Sequence, residues 1–491
     1  MKTTDVLVVG SGMGGLTAAC LLAKEGKKVL VLEQNWQAGG CTSSYWRKGY
    51  VFESGATTVV GLDSSMPLRF LLDEIGIDIP AVPLELPMQV WLNNGQVINR
   101  YQPIDQWIKE AETVFGAKNQ RIFWELCYEI SQFVWQTSLV QTSFPPTTLT
   151  DLYQTIRHLS YRQLKYAPYS FLTMTDLLKK FDLHRHSAFV NFVNEQLLIT
   201  AQNYADEVNV LFGATALCYT NYTNYYVMGG LINLVNPLVE YLKSKDGEVL
   251  FRHNVVAIRS KNKGYEVTVL IPGQPSPQTF FCRYLVCAIP LNNVLALFEQ
   301  AKKRLVQQAM LSVQLNSAFQ LSIGFEWEEI PRSLHHQVHL NAPLPQIGSR
   351  SIFVSFSHPN DATRADQQGH GAISISTHLK NPEKNLEVDK PLLEKIILTK
   401  LEEIGLLKEC QIRYRHSATA TTWQKWTGRQ WGFVGGYPQT KHIKPWQMVE
   451  ARLDGNRAYL CGDTAYPGQG IPGVILSGII ACQKLKNDWG K

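Results

Sequence analysis

The apolar residues of this chain form short unbroken runs near its two ends and helical spacing between them. Residues 6–9 are apolar at every position, the pattern of a strand covered on both faces in a parallel sheet. Leu16-Thr-Ala-Ala-Cys-Leu-Leu-Ala23 reads as a helix, and Val29-Leu-Val-Leu32 as a second buried strand that closes on Glu33. From residue 63 to about 215 the spacing turns helical (Leu68, Leu71, Leu72, Ile75; then Phe123, Leu126, Cys127, Ile130, Phe133, Val134). Strand character returns at 248–256 and in a meander over about 264–288, which ends in Tyr284-Leu-Val-Cys-Ala-Ile-Pro290. A block from 291 to about 430 mixes both periods. The chain finishes with a strand, Ala458-Tyr-Leu-Cys461, and an apolar helix, Val474-Ile-Leu-Ser-Gly-Ile-Ile-Ala-Cys482.

What lies between these runs carries the chemistry. Gly10, Gly12 and Gly15 match G-x-G-x-x-G between the first strand and its helix, with Gly14 and Met13 inside the turn. The first glycine permits the turn, the second lets backbone approach a pyrophosphate, and the third lets helix and strand pack closely. The helix directs free N–H groups and its positive dipole end at the phosphates. Glu33 stands where a carboxylate accepts hydrogen bonds from ribose hydroxyls. A dinucleotide therefore binds here. Gly39 and Gly40 follow closely enough to bring a second backbone segment over the pyrophosphate, with Thr42, Ser43 and Arg47 adding hydrogen bonds and positive charge.

The C-terminal anchor is Gly462-Asp-Thr-Ala-Tyr-Pro-Gly-Gln-Gly-Ile-Pro-Gly473. Asp463 is placed to hold a polyol hydroxyl, and the helix start at Gly470 and Ile471 to stabilise negative charge on a flavin ring.

Composition narrows the class without identifying it. A chain of 491 residues, 45% hydrophobic and 18% charged, is a folded protein of two or three interleaved domains. The net charge of +6 is spread out, with no basic run fit to track nucleic acid. Nine cysteines without a C-x-x-C read as reduced, buried, small apolar residues. No apolar run reaches the ~20 residues of a membrane helix. With the glycine turn so near residue 1, no signal peptide is expected, and the expectation is a cytoplasmic protein resting on a membrane. Ser160-Tyr-Arg-Gln-Leu-Lys-Tyr-Ala-Pro-Tyr-Ser-Phe-Leu172 interleaves aromatic and basic residues in a way that suits a bilayer surface. His335, His336 and His339 lack a carboxylate or cysteine at ligand spacing, so they predict a surface strand and no metal. Neither a G-x-S-x-G elbow nor a P-loop lysine motif occurs.

Together these residues resemble the phytoene desaturase and carotenoid isomerase family of FAD oxidoreductases, and the resemblance spans essentially the whole chain. The stretch 462–473 with Ser477-Gly478 is similar to carotenoid-acting members. Gly55-Ala-Thr-Thr-Val-Val-Gly-Leu62, Ser357-His-Pro-Asn-Asp361, Ser376-Thr-His378 and Thr427-Gly-Arg-Gln-Trp-Gly-Phe-Val-Gly-Gly436 are similar to the C-3',4' desaturase branch. Val227-Met228 before Gly229-Gly230 departs from it where many relatives carry a proline.

The resemblance implies a two-domain α/β flavoprotein. Its Rossmann-type FAD domain is drawn from 1–62, 216–290 and 450–491, and its mixed α+β substrate domain from 63–215 and 291–449. It implies backbone contact of Val256 with the adenine and an apolar polyene (carotenoid) substrate. No second strand-bound G-x-G-x-x-G for a nicotinamide occurs in the sequence, so a quinone or oxygen is the expected electron acceptor. Desaturation is the expected reaction, with a carotenoid isomerase or a retinol saturase-like enzyme as alternatives on the same scaffold. From another class comes a non-catalytic prenyl-lipid escort resembling the GDP-dissociation inhibitors. The tyrosines of 219–226 and the helix at 123–135 are candidate tunnel lining. Glu53 and His378 are the polar candidates beside the chemistry, and no general base is assigned.

Overall fold

In the computed structural model, residues 2–158, 160, 163–298, 300, 315–384, 387–455 and 457–489 are described. The apolar runs build one seven-stranded sheet. At its centre Lys2–Val9 pairs in parallel with Val29–Leu32 on one side and with Gln278–Cys287 on the other. Glu248–Leu250 and Ala458–Leu460 extend the parallel set outward. The hairpin Asn254–Lys261 and Gly264–Leu270 continues it in antiparallel sense. Met13–Lys24, Ile232–Ser244 and Ile471–Asp488 cover one face, and Val6, Val8, Leu16, Leu234, Leu238, Ile475 and Ile479 form the core between them. The first and last of these helices pack on each other so closely that a Cβ on Gly478 would lie 2.5 Å from the Gly14 carbonyl oxygen. This joins the two ends of the chain.

A second seven-stranded sheet runs Ile412–Ala418, Asn316–Glu326, His370–Lys380, Ser351–Phe356, His335–His339, Met88–Trp91, Val97–Arg100. It is antiparallel except where His335–His339 lies parallel to Met88–Trp91. Its strands come from both long insertions, and that pairing stitches them together. Against it packs a layer of helices that includes Ile104–Phe115, Gln120–Ser138, Ser187–Ala201 and Val210–Leu217, around Trp107, Trp124, Phe189 and Phe192. The Arg100 guanidinium is buried among these rings, 4.1 Å from the Trp107 centroid, and donates to Gln196 Oε1 (2.7 Å) and the Leu217 carbonyl.

Two sequence expectations are corrected here. His335, His336 and His339 do not lie on a surface strand; they are interior to the second sheet. Burial pushes their imidazoles down to about 3, about 4 and about 4, so they are neutral sheet residues. His335 bonds Ser355 Oγ at 2.9 Å, and Trp91 Nε1 donates to His336 Nδ1 at 3.2 Å. The cysteines are unpaired, yet Cys410 is exposed and Cys41 half-buried.

Candidate functional site

The parallel strands deliver their carboxyl ends to one place, where an α/β sheet binds its ligands. Gly10 leaves the first strand at φ +95°, a conformation that favours glycine. A Cβ on Gly15 would sit 2.4 Å from the Gly10 oxygen and 2.7 Å from Ala288 Cβ, so helix and strand meet there only through glycine. A Cβ on Gly12 would meet nothing within 4 Å, so its backbone faces open space. Gly39 bridges to Gly12 and donates its N–H to the Ser11 carbonyl at 2.9 Å. This lays the second glycine turn against the first.

Glu33 closes the second strand. Its Oε2 accepts from the Ser11 N–H (2.9 Å) and hydroxyl (2.7 Å), and its Oε1 from the Asn35 N–H (2.9 Å). These bonds fix the carboxylate at the rim of the turn. On the far side Asp463 follows the strand 458–460 and pairs with Arg429 at 2.8 Å. Arg429 lies in the 427–436 stretch, but nothing in its local spacing marked it as a site residue.

A cavity of about 1170 Å³ joins these groups. That exceeds the several hundred Å³ of a usual small-molecule pocket and suits a dinucleotide with a second ligand beside it. Gly10, Gly12, Met13, Gly14, Glu33, Gly39, Gly40, Thr42, Val256, Asp463, Gly470 and Ile471 all border it. Gly15 does not, in keeping with a packing role. Arg47 is exposed on the strand Ser44–Arg47 and does not border it either. Among the described lining residues the one arginine is Arg429.

The cavity continues between the helical layer and the second sheet. Phe133, Val134, Ile199, Leu211, Phe212, Tyr219 and Phe353 give it apolar walls. Of the tyrosine cluster only Tyr219 is among the lining residues; Tyr222 bonds Ser131, and Tyr226 donates to Asp361. The sheet adds polar groups that an all-apolar tunnel does not anticipate: Gln337, Ser351, Ser376, Thr377 and His378. Burial, aided by the nearby Lys380 charge, pushes His378 down to about 4, so a neutral imidazole borders the cavity.

Glu53 is elsewhere. It forms a buried ion pair with Arg364, and its Oε2 accepts from the Ser44 hydroxyl at 2.6 Å and from the Leu231 N–H. Asp361 beside it accepts from the Gly229 N–H at 2.7 Å. Segments 44–53, 226–231 and 357–364 thus meet in a polar junction that ties the two sheets together. No group of His, Cys, Asp and Glu suited to hold a metal occurs among the described residues.

Residues 13–486 match a family model described as flavin containing amine oxidoreductase. Prolycopene isomerase of Daucus carota is 23% identical over 99% of this chain and 80% of its own length. All-trans-retinol 13,14-reductase of Danio rerio is 28% identical over 54% of this chain and 44% of its own. A solved putrescine oxidase double mutant superposes with a TM-score of 0.65 at 15% identity, covering 99% of both chains. Cyclohexylamine oxidase from Brevibacterium oxydans superposes at 0.62 and 15%, covering 99% of this chain and 98% of that one. The glycine turns, the fixed Glu33 carboxylate and the open face at Gly12 fit FAD.

Proposed function

This chain belongs to the flavin-containing amine oxidoreductases, and we propose that within that family it desaturates a carotenoid or similar polyene. The observation that carries the proposal is the distribution of charge in the cavity. Among the described lining residues the only carboxylates are Glu33 and Asp463, both at the dinucleotide end. The remainder offers an ammonium substrate no counter-ion and surrounds its ligand with aliphatic, aromatic and neutral polar groups. Exposing hydrocarbon to water costs about 0.8 kcal/mol per CH₂, so a long polyene leaves lipid only for a comparably apolar cavity. FAD supplies the acceptor for a hydride from an allylic carbon. The chain's own part is to hold register through Phe133, Leu211, Phe212 and Phe353 and to exclude water. The electron acceptor in this reading is a quinone or oxygen.

The test is anaerobic. Oxidised holoenzyme mixed with an acyclic carotenoid should lose flavin absorbance as a longer conjugated product appears, and quinone should restore turnover. The likeness to a prolycopene isomerase over 99% of this chain favours a second reading. Geometric isomers formed at constant flavin oxidation state would establish it, and a shortened polyene formed by reduced flavin would establish saturation.

Such a substrate needs a lipid source, and the exposed apolar residues suggest where the protein rests. On the helix Leu149–Arg157, Leu149 (87% exposed), Leu152 (45%), Tyr153 (65%) and Ile156 (59%) share one face, while Thr155 borders the cavity. Leu164, Phe171 and Trp446 are exposed as well. The 160–172 stretch contributes less than its aromatic-basic pattern implies. Tyr166 is buried on Phe133 (4.6 Å), Lys165 lies 3.6 Å from Glu129, and Tyr161 and Arg162 lie outside the described residues. No described helix is long and apolar enough to cross a membrane. Replacing Leu149, Leu152 and Ile156 with serine should reduce co-sedimentation with anionic liposomes several-fold and leave flavin content unchanged. Undiminished binding would remove this face from the proposal.

A further inference from the structure

We propose that Arg429 is the residue that holds the diphosphate of FAD, supplied by a segment remote in sequence from the glycine turns. The inference rests on the family's flavin and is independent of the polyene reading.

A diphosphate brings two negative charges into a cavity whose lining already holds two carboxylates, Glu33 and Asp463. Among the described lining residues Arg429 is the one lysine or arginine. Its Nη2 is 2.8 Å from Asp463, while its Nη1 is shielded from water and has no hydrogen-bond partner. An unpaired buried donor is destabilising, and an anionic oxygen of a ligand would satisfy it. Asp463, once this buried guanidinium is desolvated, holds it charged.

Position agrees with charge. Asn35 Nδ2 donates to the Trp426 carbonyl at 2.8 Å, and a Cβ on Gly428 would press on the Gln34 amide. The segment 426–428 therefore lies beside the ribose-side acid. At its other end, a Cβ on Gly436 would fall 2.2 Å from the Asp463 oxygen. Gly462, next to Asp463, lies against the first turn, because a Cβ on Gly14 would be 3.1 Å from the Gly462 nitrogen. The stretch 426–436 thus spans the interval between Glu33 and Asp463, the interval that the diphosphate bridges. Cys41 follows the Gly39-Gly40 turn close enough to feel both Arg429 and Asp463, and burial keeps its thiol neutral. The turn brings no cation of its own.

The experiment titrates apoprotein with FAD and with riboflavin, which lacks the diphosphate, by quenching of flavin fluorescence at low and high salt. Arg429→Gln should weaken FAD binding at least ten-fold, change riboflavin binding less than two-fold, and flatten the salt dependence of FAD binding, because a screened charge pair has been lost. Equal losses for both ligands would overturn the proposal and leave Arg429 as a prop for Asp463. Should Arg429→Gln fail to fold, Arg429→Lys carries the test. It keeps the charge, so the ratio of FAD to riboflavin affinity should stay within about three-fold of wild type. A collapse of that ratio would overturn the assignment. Neither readout involves a polyene.

Discussion

The sheet that carries Gly10 and Glu33 and the sheet that carries His335 and His378 both bury their strands, but with different residues. In the first, Val6, Leu7, Val8, Leu30 and Val31 fill both faces, and their apolarity alone explains their position. In the second, Ser317, Gln320, Ser322, His335, His336 and Gln337 are as deeply buried. Each such polar group needs a partner, since leaving it unpaired costs about 1–3 kcal/mol. The partners come from elsewhere: Gln320 Nε2 donates to the Glu53 carbonyl (2.9 Å), Gln337 Nε2 to the Glu195 carbonyl (2.9 Å), and Ser317 Oγ to the Gly432 carbonyl (2.6 Å). A parallel sheet wrapped in helices is specified by hydrophobicity. A sheet that walls a ligand cavity is specified by a network, and a network fails when one member is removed.

The sharpest way to break that contrast is at the polar junction. Glu53→Ala strands Arg364 as a buried unpaired cation and should cost about 3–5 kcal/mol in denaturant unfolding. Adding Arg364→Met should return much of that loss. A single-variant cost under about 1 kcal/mol would mean that the ion pair does not hold the sheets together.

Within the apolar sheet the expected effects are steric. Gly15→Ala forces a Cβ into the Gly10 oxygen and should destabilise apoprotein and holoprotein alike, by about 1–3 kcal/mol or more. Gly12→Ala meets no protein atom, so apoprotein stability should change by no more than about 0.5 kcal/mol while flavin retention falls. Equal behaviour of the two variants would erase the distinction between the packing glycine and the ligand-facing one.

A pH-dependent effect also separates the sheets. His336 is held at about 4 in the fold against an ordinary 6.5. The unfolded chain therefore binds the extra proton between those values. Stability is complete above 6.5 and falls as pH drops toward 4, by about 1.4 kcal/mol per pH unit for each such histidine. His336→Gln keeps an acceptor for Trp91 and should flatten the acid limb by about that slope, measured as unfolding free energy at pH 6.5, 5.5 and 4.5. An unchanged limb would show that protonation of His336 is not resisted by the fold.

Much of the dinucleotide end was legible because its determinants are local. Glycines at fixed spacing after an apolar run, an acid at the end of the next strand, and a Gly-Asp before a glycine-rich helix start each act within a few residues of their neighbours. Arg47 misled for the same reason. It is near the second glycine turn in sequence, but the strand Ser44–Arg47 carries its side chain to the surface. Polar side chains at 335, 336 and 339 predict an exterior strand, and no local pattern shows that Ser355 and Trp91 supply partners to His335 and His336 in the interior. The amino-acid sequence by itself determined the parallel sheet, the glycine cradle and the position of Glu33, because hydrophobic burial and backbone sterics are properties of short segments. Tertiary structure decided that Arg429 rather than Arg47 faces the cavity, that Glu53 is locked to Arg364, and that strands from two distant insertions wall one ligand space. Those outcomes depend on charges and donors finding partners hundreds of residues away, and no local pattern encodes that search.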